Sequence, residues 1–383
     1  MNSLELVQEG ILYCNPHPSR QAVCATSPNV VPLSDRELLC ICRVGQALFS
    51  DDGKLAQLRS FDGGVTWVED GLVRDPGDDS APYTYSAPHA SRLRNGTLLL
   101  VSQRLLATDE YPSHFNPETG GIQPTEIVFM RSDDQGRSWT PPAVLELPDN
   151  ADLILDAPSA ILELNDGRWF LACERWKAWH DPSPLHIRGF ALFSEDEGKT
   201  WGGRVDFPSV SDADRMYSHT RYTKMHDGRI AACQWAQSIG GQVTHDLHFV
   251  SSDETGSVWT HPKATGIPGQ NSWIADLGDG VLVLVYASRE REDVRPGVRV
   301  VYSEDGGATW DLKNQLLLWD ALGQNFIGQT HEVSYPASHD NIAFGKVNAV
   351  CLPDGEVLCS WWCTQGCIVH MRYARLRVKP RGG

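Results

Sequence analysis

Five copies of one short motif constrain this chain more than any other feature of it. SFDGGVTW at 60–67 returns as SDDQGRSW at 132–139, SEDEGKTW at 194–201 and SEDGGATW at 303–310, and a looser copy, SSDETGSVW, lies at 251–259. Each copy follows a short apolar run such as EIVFMR, RGFALF or VRVVY, so each predicts a tight turn between two strands. The recurring Asp (Asp62, Asp134, Asp196, Asp253, Asp305) is of the kind that accepts backbone N–H bonds inside a turn. The Gly three residues before each Trp suits a left-handed backbone, and the Trp offers a large apolar face for packing between sheets. These boxes are read as structural, not catalytic.

A second pattern precedes each box: apolar strand, Asp-Gly-like turn, apolar strand. It is seen in APSAILELNDGRWFLACER, SWIADLGDGVLVLVYAS and VNAVCLPDGEVLCSWWC, with Asp35-Arg36 in the turn of the first copy. Interleaved, the two patterns predict four-stranded antiparallel units repeated around a ring. The expected fold is all-β, a six-bladed β-propeller over residues 1–383 as a single domain, with N-terminal GILYC completing the ring beside the sixth blade.

The net charge of −16 over 383 residues argues against nucleic acid and anionic membranes, which need basic surface. No apolar run approaches the ~18–20 residues of a membrane-spanning helix. The start, MNSLELVQEGILYC, lacks a basic segment and places Glu5 and Glu9 where a signal sequence would be apolar, so a cytoplasmic protein with reduced thiols is expected. Of ten cysteines, Cys40, Cys42, Cys173, Cys233 and Cys359 sit in strand-like runs as small hydrophobes. The Cys363–Cys367 spacing is only a weak metal signal; no metal and no cofactor are expected, and the oligomeric state stays open.

The boxes resemble the Asp-box (BNR) repeats of the sialidase superfamily. That resemblance covers nearly the whole chain and implies six blades with a carbohydrate site in the central funnel. Boxes joining third and fourth strands fall on one face, so the starts of first strands and the ends of second strands collect on the other. Arg43, Arg104, Arg175 and Arg289 end second strands there, and guanidinium groups clustered at one mouth suit a carboxylate. Trp235, Trp273, Trp361 and Trp362 fit sugar stacking. Asp156 in LILDAPS and Glu174 in FLACERW stand at the same end of one hairpin and form a candidate acid and nucleophile pair. His89, His114, His180, Tyr217, His219 and Arg221 fall on the same face, with His89 and Tyr217 as candidate proton-transfer groups.

The sialidase catalytic set itself does not transfer. The R-I-P motif is absent, with Arg20 the only and poorly placed substitute; blade six opens FGKVNAV without a Tyr, and blade four opens YSHTRYTKM without a Glu. Three readings follow. The first is an exo-acting glycoside hydrolase on an acidic sugar, using Asp156 and Glu174. The second is a polysaccharide lyase, with arginines neutralising a uronate while His89 or Tyr217 removes a proton. The third is a non-catalytic propeller that binds a glycan or a protein.

Overall fold

The computed structural model describes residues 2–111, 113–147, 154–156, 159–209, 214–289, 291, 293–322, 342–366 and 368–380. The strands form six antiparallel sheets in sequence order around an axis, a six-bladed β-propeller. Their innermost strands are Cys24–Pro32, Tyr83–Arg92, Leu155–Asp156 continued by Leu162–Glu163, Arg215–Lys224, Asn271–Asp276 and Phe344–Cys351. The first sheet shows the pattern: Cys24–Pro32, Leu38–Gly45, Lys54–Ser60 and Val68–Arg74, each paired with the next. In the sixth, the outermost strand is N-terminal Asn2–Cys14, paired antiparallel with Ile368–Pro380 through Leu4↔Val378, Glu9↔Ala374 and Cys14↔His370. The chain's first strand thus closes the ring from its last sheet.

Second strands such as Leu282–Ser288 are buried along their whole length, because neighbouring blades cover both faces. Between the fifth and sixth blades Val283, Val285, Val298 and Val300 pack with Phe344, Val347, Trp361 and Cys363. Burial pushes the Cys42 and Cys233 thiols up to about 12, as expected for thiols acting as packing groups.

The boxes lie between third and fourth strands, as their repeat implies. In the first, Asp62 Oδ1 accepts from Val65 N (3.0 Å) and Thr66 N (2.9 Å), Oδ2 accepts from the Thr66 hydroxyl (2.6 Å), and Trp67 Nε1 donates to Gly64 O (3.0 Å). Gly64 sits at φ 90, where a side chain would be strained and would press on Leu358 and Leu38. The Trp does bridge blades: Trp201 stacks on Phe129 of the preceding blade at 5.5 Å. The looser fourth box keeps the Trp259 Nε1 to Gly256 O bond (2.8 Å), but its Ser252 hydroxyl turns to Asp253 O.

These bonds make an acid-sensitive set. Burial disfavours the Asp62 carboxylate, yet the Thr66 hydroxyl and N–H and the Ser60 hydroxyl outweigh it and hold its pKa at about 2. The Ser138 hydroxyl and N–H bring Asp134 to about 2, and the Thr200 N–H and hydroxyl do the same for Asp196. Depressed folded values mean stability that is fully present above the unfolded pKa of ~3.9 and lost as pH falls toward about 2. The thermal midpoint should therefore drop between pH 4 and pH 2, and the drop should be shallower with Asn at all three positions. Parallel curves for the two proteins would show that the boxes do not carry the acid sensitivity.

Side chains clasp the blades near the axis. Asn29 Oδ1 accepts from Ala90 N (2.7 Å), Asn348 Oδ1 from Val30 N (3.1 Å), Asn271 Oδ1 from Val347 N (2.9 Å) and Glu174 Oε1 from Thr220 N (3.2 Å). Among the described residues, four innermost strands also carry a bulge, between Thr26 and Asn29, Ser86 and His89, Ser218 and Arg221, and Gly345 and Asn348. Within the bulges Ser27, Ala87, His219 and Lys346 have φ of 56, 47, 49 and 46. A non-glycine residue there costs on the order of 1–3 kcal/mol, and bulges that re-aim side chains gather near functional sites. Among the described residues, no helix is long and apolar enough to cross a membrane.

Candidate functional site

On the face opposite the boxes a cavity of about 60 Å³ occupies the funnel. Blade two gives it Ser86 and Gln103, blade four His219 and Trp235, blade five Asn271 and Arg289, and blade six Lys346 and Trp362. Leu48, Phe49, His114, Phe115, Trp176 and Ile342 complete the described lining.

The aromatic wall is built by two loops welded together. Asn116 Nδ2 and the Thr119 hydroxyl donate to Trp179 O (2.9 and 2.6 Å), while Trp176 Nε1 donates to Gly120 O (3.1 Å). Residues Ile122 and Ala178 form a parallel bridge, and a Cβ on Gly121 would stand 2.1 Å from Ala178 O, so only glycine fits the seam. Held this way, His114 stacks on Phe49 at 5.5 Å and meets Phe115 edge-on at 4.4 Å. Opposite, His219 lies flat on Trp235, ring centroids 5.5 Å apart and planes 2° from parallel.

Of the residues expected at the mouth, the cavity thus unites His219, Trp235, Arg289 and Trp362, with His114. Arg43 is elsewhere: it is 1% exposed, and its guanidinium donates to Tyr85 O (3.0 Å), Ala47 O (2.5 Å) and Ser50 O (2.6 Å). Arg104 is engaged by Glu126 at 2.6 Å and lies over the Tyr83 ring, and Arg175 is exposed at its strand end. The expected cluster of four arginines therefore reduces to Arg289 at this cavity, because backbone carbonyls and a neighbouring carboxylate occupy Arg43 and Arg104.

Below the cavity, His89 stacks on Trp273 at 5.5 Å and the Arg221 guanidinium lies 5.7 Å from the same ring. Burial, and then the charges of Arg221 and Lys346, hold the His89 pKa well below its usual value, so its imidazole is neutral. This layer divides the funnel cavity from a channel on the box face, which Trp273 lines with Tyr222, Asn29 and Asn348. Tyr217 is buried against His248, ring centroids 5.3 Å apart, and is not among the lining residues.

Asp156 and Glu174 are register partners across the antiparallel ladder, and the Glu174 side chain is buried where it clasps Thr220. Cys363 Sγ stands 3.5 Å from His370 Nε2, while Cys367 lies outside the described residues. Among the described residues, no group of three or more His, Cys, Asp or Glu could hold a metal ion.

Sequence reasoning assigned no role to Lys346 or Gln103, which strand position places on the funnel face, and missed Phe49, Phe115 and Trp176. The glycine-lysine pair in FGKVNAV was a signal for the first: a bulge there brings a lysine to the axis.

The cavity is donor-rich. Arg289 and Lys346 are cationic, Gln103 Nε2 and Trp362 Nε1 are buried donors without a partner among the described residues, and none of the described lining residues is Asp or Glu. Such a lining suits an anionic, acceptor-rich ligand with an apolar face to stack.

A family model described as the BNR repeat-like domain matches residues 113–347. No curated protein matches the chain. Among solved structures, a protein of unknown function from Dyadobacter fermentans is similar at a TM-score of 0.73 and 19% identity, covering 98% of this chain and 100% of that one. The intramolecular trans-sialidase from Ruminococcus gnavus in complex with oseltamivir carboxylate is similar at 0.63 and 12%, covering 96% of each chain. The Penicillium chrysogenum alpha-L-arabinanase complexed with arabinobiose reaches 0.62 and 15%, covering 97% of this chain and 98% of that one. At these identities the likeness is one of fold.

Proposed function

The chain belongs to the BNR repeat-like domain family, and from that premise we propose that it is a carbohydrate-active enzyme of the sialidase superfamily that cleaves a glycosidic bond of an acidic sugar. The observation that carries this reading is the excess of donors at the funnel cavity, Arg289 and Lys346 with the buried Gln103 Nε2 and Trp362 Nε1. The carboxylate of the sugar lies toward the two cations and its ring against the aromatic wall of Phe49, His114 and Phe115. The similar structures that hold oseltamivir carboxylate and arabinobiose support a saccharide-like ligand on this fold.

Exo-type hydrolysis is the leading reaction, with Asp156 and Glu174 as the carboxylate pair at the funnel end of blade three. Retaining glycosidases use two carboxyl groups ~5–5.5 Å apart, and directly opposed strand residues are the simplest way to approach that spacing. A second reading, elimination from a uronate, is favoured by one observation: the described lining offers two histidines and two cations but no carboxylate. There Arg289 and Lys346 neutralise the acid while His219 takes the C5 proton, with His89 and Tyr217 as the other bases considered.

Purified protein incubated with sialylated, uronate-containing and neutral oligosaccharides, with products identified by mass, tests the proposal. Cleavage of an acidic glycan is the expected result. Product absorbing in the near ultraviolet identifies elimination, and saturated product identifies hydrolysis. Cleavage of neutral glycans alone, or of none, overturns the acidic-sugar reading.

A further inference from the structure

We propose that the channel on the box face is a second ligand site, for a neutral polyhydroxylated molecule of monosaccharide size, separate from the funnel. Its volume is about 360 Å³ against about 60 Å³ for the funnel cavity, which puts it at the scale of small-molecule pockets. All six innermost strands line it, and each stands at the inner end of its sheet. Apart from clasped groups such as the Val30 and Ala90 N–H, the channel wall therefore carries free strand edges, with both backbone donors and acceptors.

Strand direction sets the depth. First strands run from the funnel to the box face, so Asn29, Trp273 and Asn348 lie at the floor, while Pro32, Arg92, Asp276 and Cys351 lie at the mouth. The layer of His89, Trp273 and Arg221 closes the floor, which makes the channel a blind pocket and not a pore. Asn29 and Asn348 are 2% and 3% exposed, and each uses Oδ1 on a neighbouring blade's N–H. That bond fixes the amide orientation, and neither Nδ2 has a hydrogen-bond partner among the described residues. Two buried donors thus stand open at the floor.

The interior is neutral. The charged residues of the described lining, Arg92 and Asp276, are at the mouth and engaged: Arg92 Nη1 donates to Leu33 O (2.8 Å), and Asp276 accepts from His226 N (2.6 Å) and Gly278 N (3.0 Å). An anion would set acceptors against the strand-edge carbonyls, and a hydrocarbon would leave donors and acceptors alike unmet. A hydroxyl group donates to the carbonyls and accepts from the two amides, while the C–H faces of a polyol pack on Val31, Ala160 and Ala349. Such a molecule also displaces several ordered waters at once, which favours it over water alone.

Ligand-observed NMR and calorimetry with galactose, arabinose and myo-inositol test the site, with glucuronate as the charged probe. Wild type should bind at least one of the three neutral compounds. Thr223 lines the channel half-buried at the end of its strand, so Thr223→Trp narrows the mouth and should abolish that binding. Glucuronate, placed in the funnel, should bind this variant as it binds wild type. Asn29→Asp and Asn348→Asp keep an oxygen for the Ala90 and Val30 N–H groups and replace only the open donor. Each should weaken binding of the neutral compound about three- to tenfold, the range for one hydrogen bond. If the Asp variants do not fold, Thr223→Trp decides alone. Absence of neutral binding by wild type overturns the proposal, since the channel then holds only water. So does neutral binding by Thr223→Trp, or by both Asp variants, equal to wild type. A parallel loss of glucuronate binding in Thr223→Trp overturns the separation of the two sites.

Discussion

Arg43→Ala should lower the thermal midpoint by about 4–6 °C and leave affinity for a funnel ligand unchanged. Its guanidinium is 1% exposed and holds three backbone carbonyls, those of Tyr85, Ala47 and Ser50. Truncation removes three hydrogen bonds from a charged donor and opens a void where the side chain was, although Ala47 O keeps the Ser50 hydroxyl and Ser50 O keeps the Thr84 hydroxyl. A hydrogen bond from a charged donor contributes about 1.5–3 kcal/mol, partly recovered here as water enters, so a net loss of about 3–5 kcal/mol is expected. For a chain of this size each kcal/mol corresponds to roughly 1.2 °C. Gly53 reports on the same packing, because a Cβ there would stand 2.6 Å from Arg43 Nη2 and from the Thr84 hydroxyl. Circular dichroism melts alongside sugar-binding titrations separate the outcomes. An intact melt with weakened binding would return Arg43 to the ligand site and overturn the structural assignment.

That expectation reverses the reading of Arg43 as a carboxylate receptor, and the reason is physical. The boxes were legible because their bonds close within eight residues: Ser60, Asp62, Gly64, Thr66 and Trp67 are neighbours in the chain and in space. Blade number and the closing role of the N-terminal strand followed from repetition of that local unit. Arginines at strand ends carry no such local information. What engages Arg43 are the carbonyls of Ala47 and Ser50 nearby and of Tyr85, 42 positions away, and carbonyls are present in every residue type, so no side chain announces the contact. What engages Arg104 is Glu126, one of 49 acidic residues that composition cannot tell apart.

The aromatic wall was hidden for a related reason. His114, Phe115 and Trp176 belong to connecting loops whose mutual welding depends on bonds such as Asn116 to Trp179, and no strand periodicity announces those. The role of Lys346 was hidden by the bulge. Simple alternation predicts which side chains face the axis only where the ladder is regular, and the register shift between Gly345 and Asn348 breaks it there. Trp273 and His89 are expected at the mouth from strand position alone, but they form the layer beneath the cavity.

The chemistry of cleavage is decided by a second set of variants with effects larger still. In the hydrolytic reading Asp156→Asn and Glu174→Gln should each reduce turnover by about 10²–10⁴-fold while the substrate still binds, the range expected when one proton-transfer group is lost. Glu174→Gln is the cleaner probe. Its amide oxygen can still accept the Thr220 N–H that Glu174 Oε1 accepts at 3.2 Å, so the clasp between blades three and four survives and the melt should change little. Glu174→Ala would confound the measurement by breaking that clasp. In the eliminative reading the two carboxyl variants retain most of their turnover. His219→Ala then abolishes the unsaturated product, because the imidazole on the Trp235 face is the base. Single-turnover assays with an acidic oligosaccharide, followed both by released reducing sugar and by near-ultraviolet absorbance, distinguish the two. Near-normal turnover in both carboxyl variants rules out the Asp156 and Glu174 pair and assigns the reaction to the histidine side of the cavity.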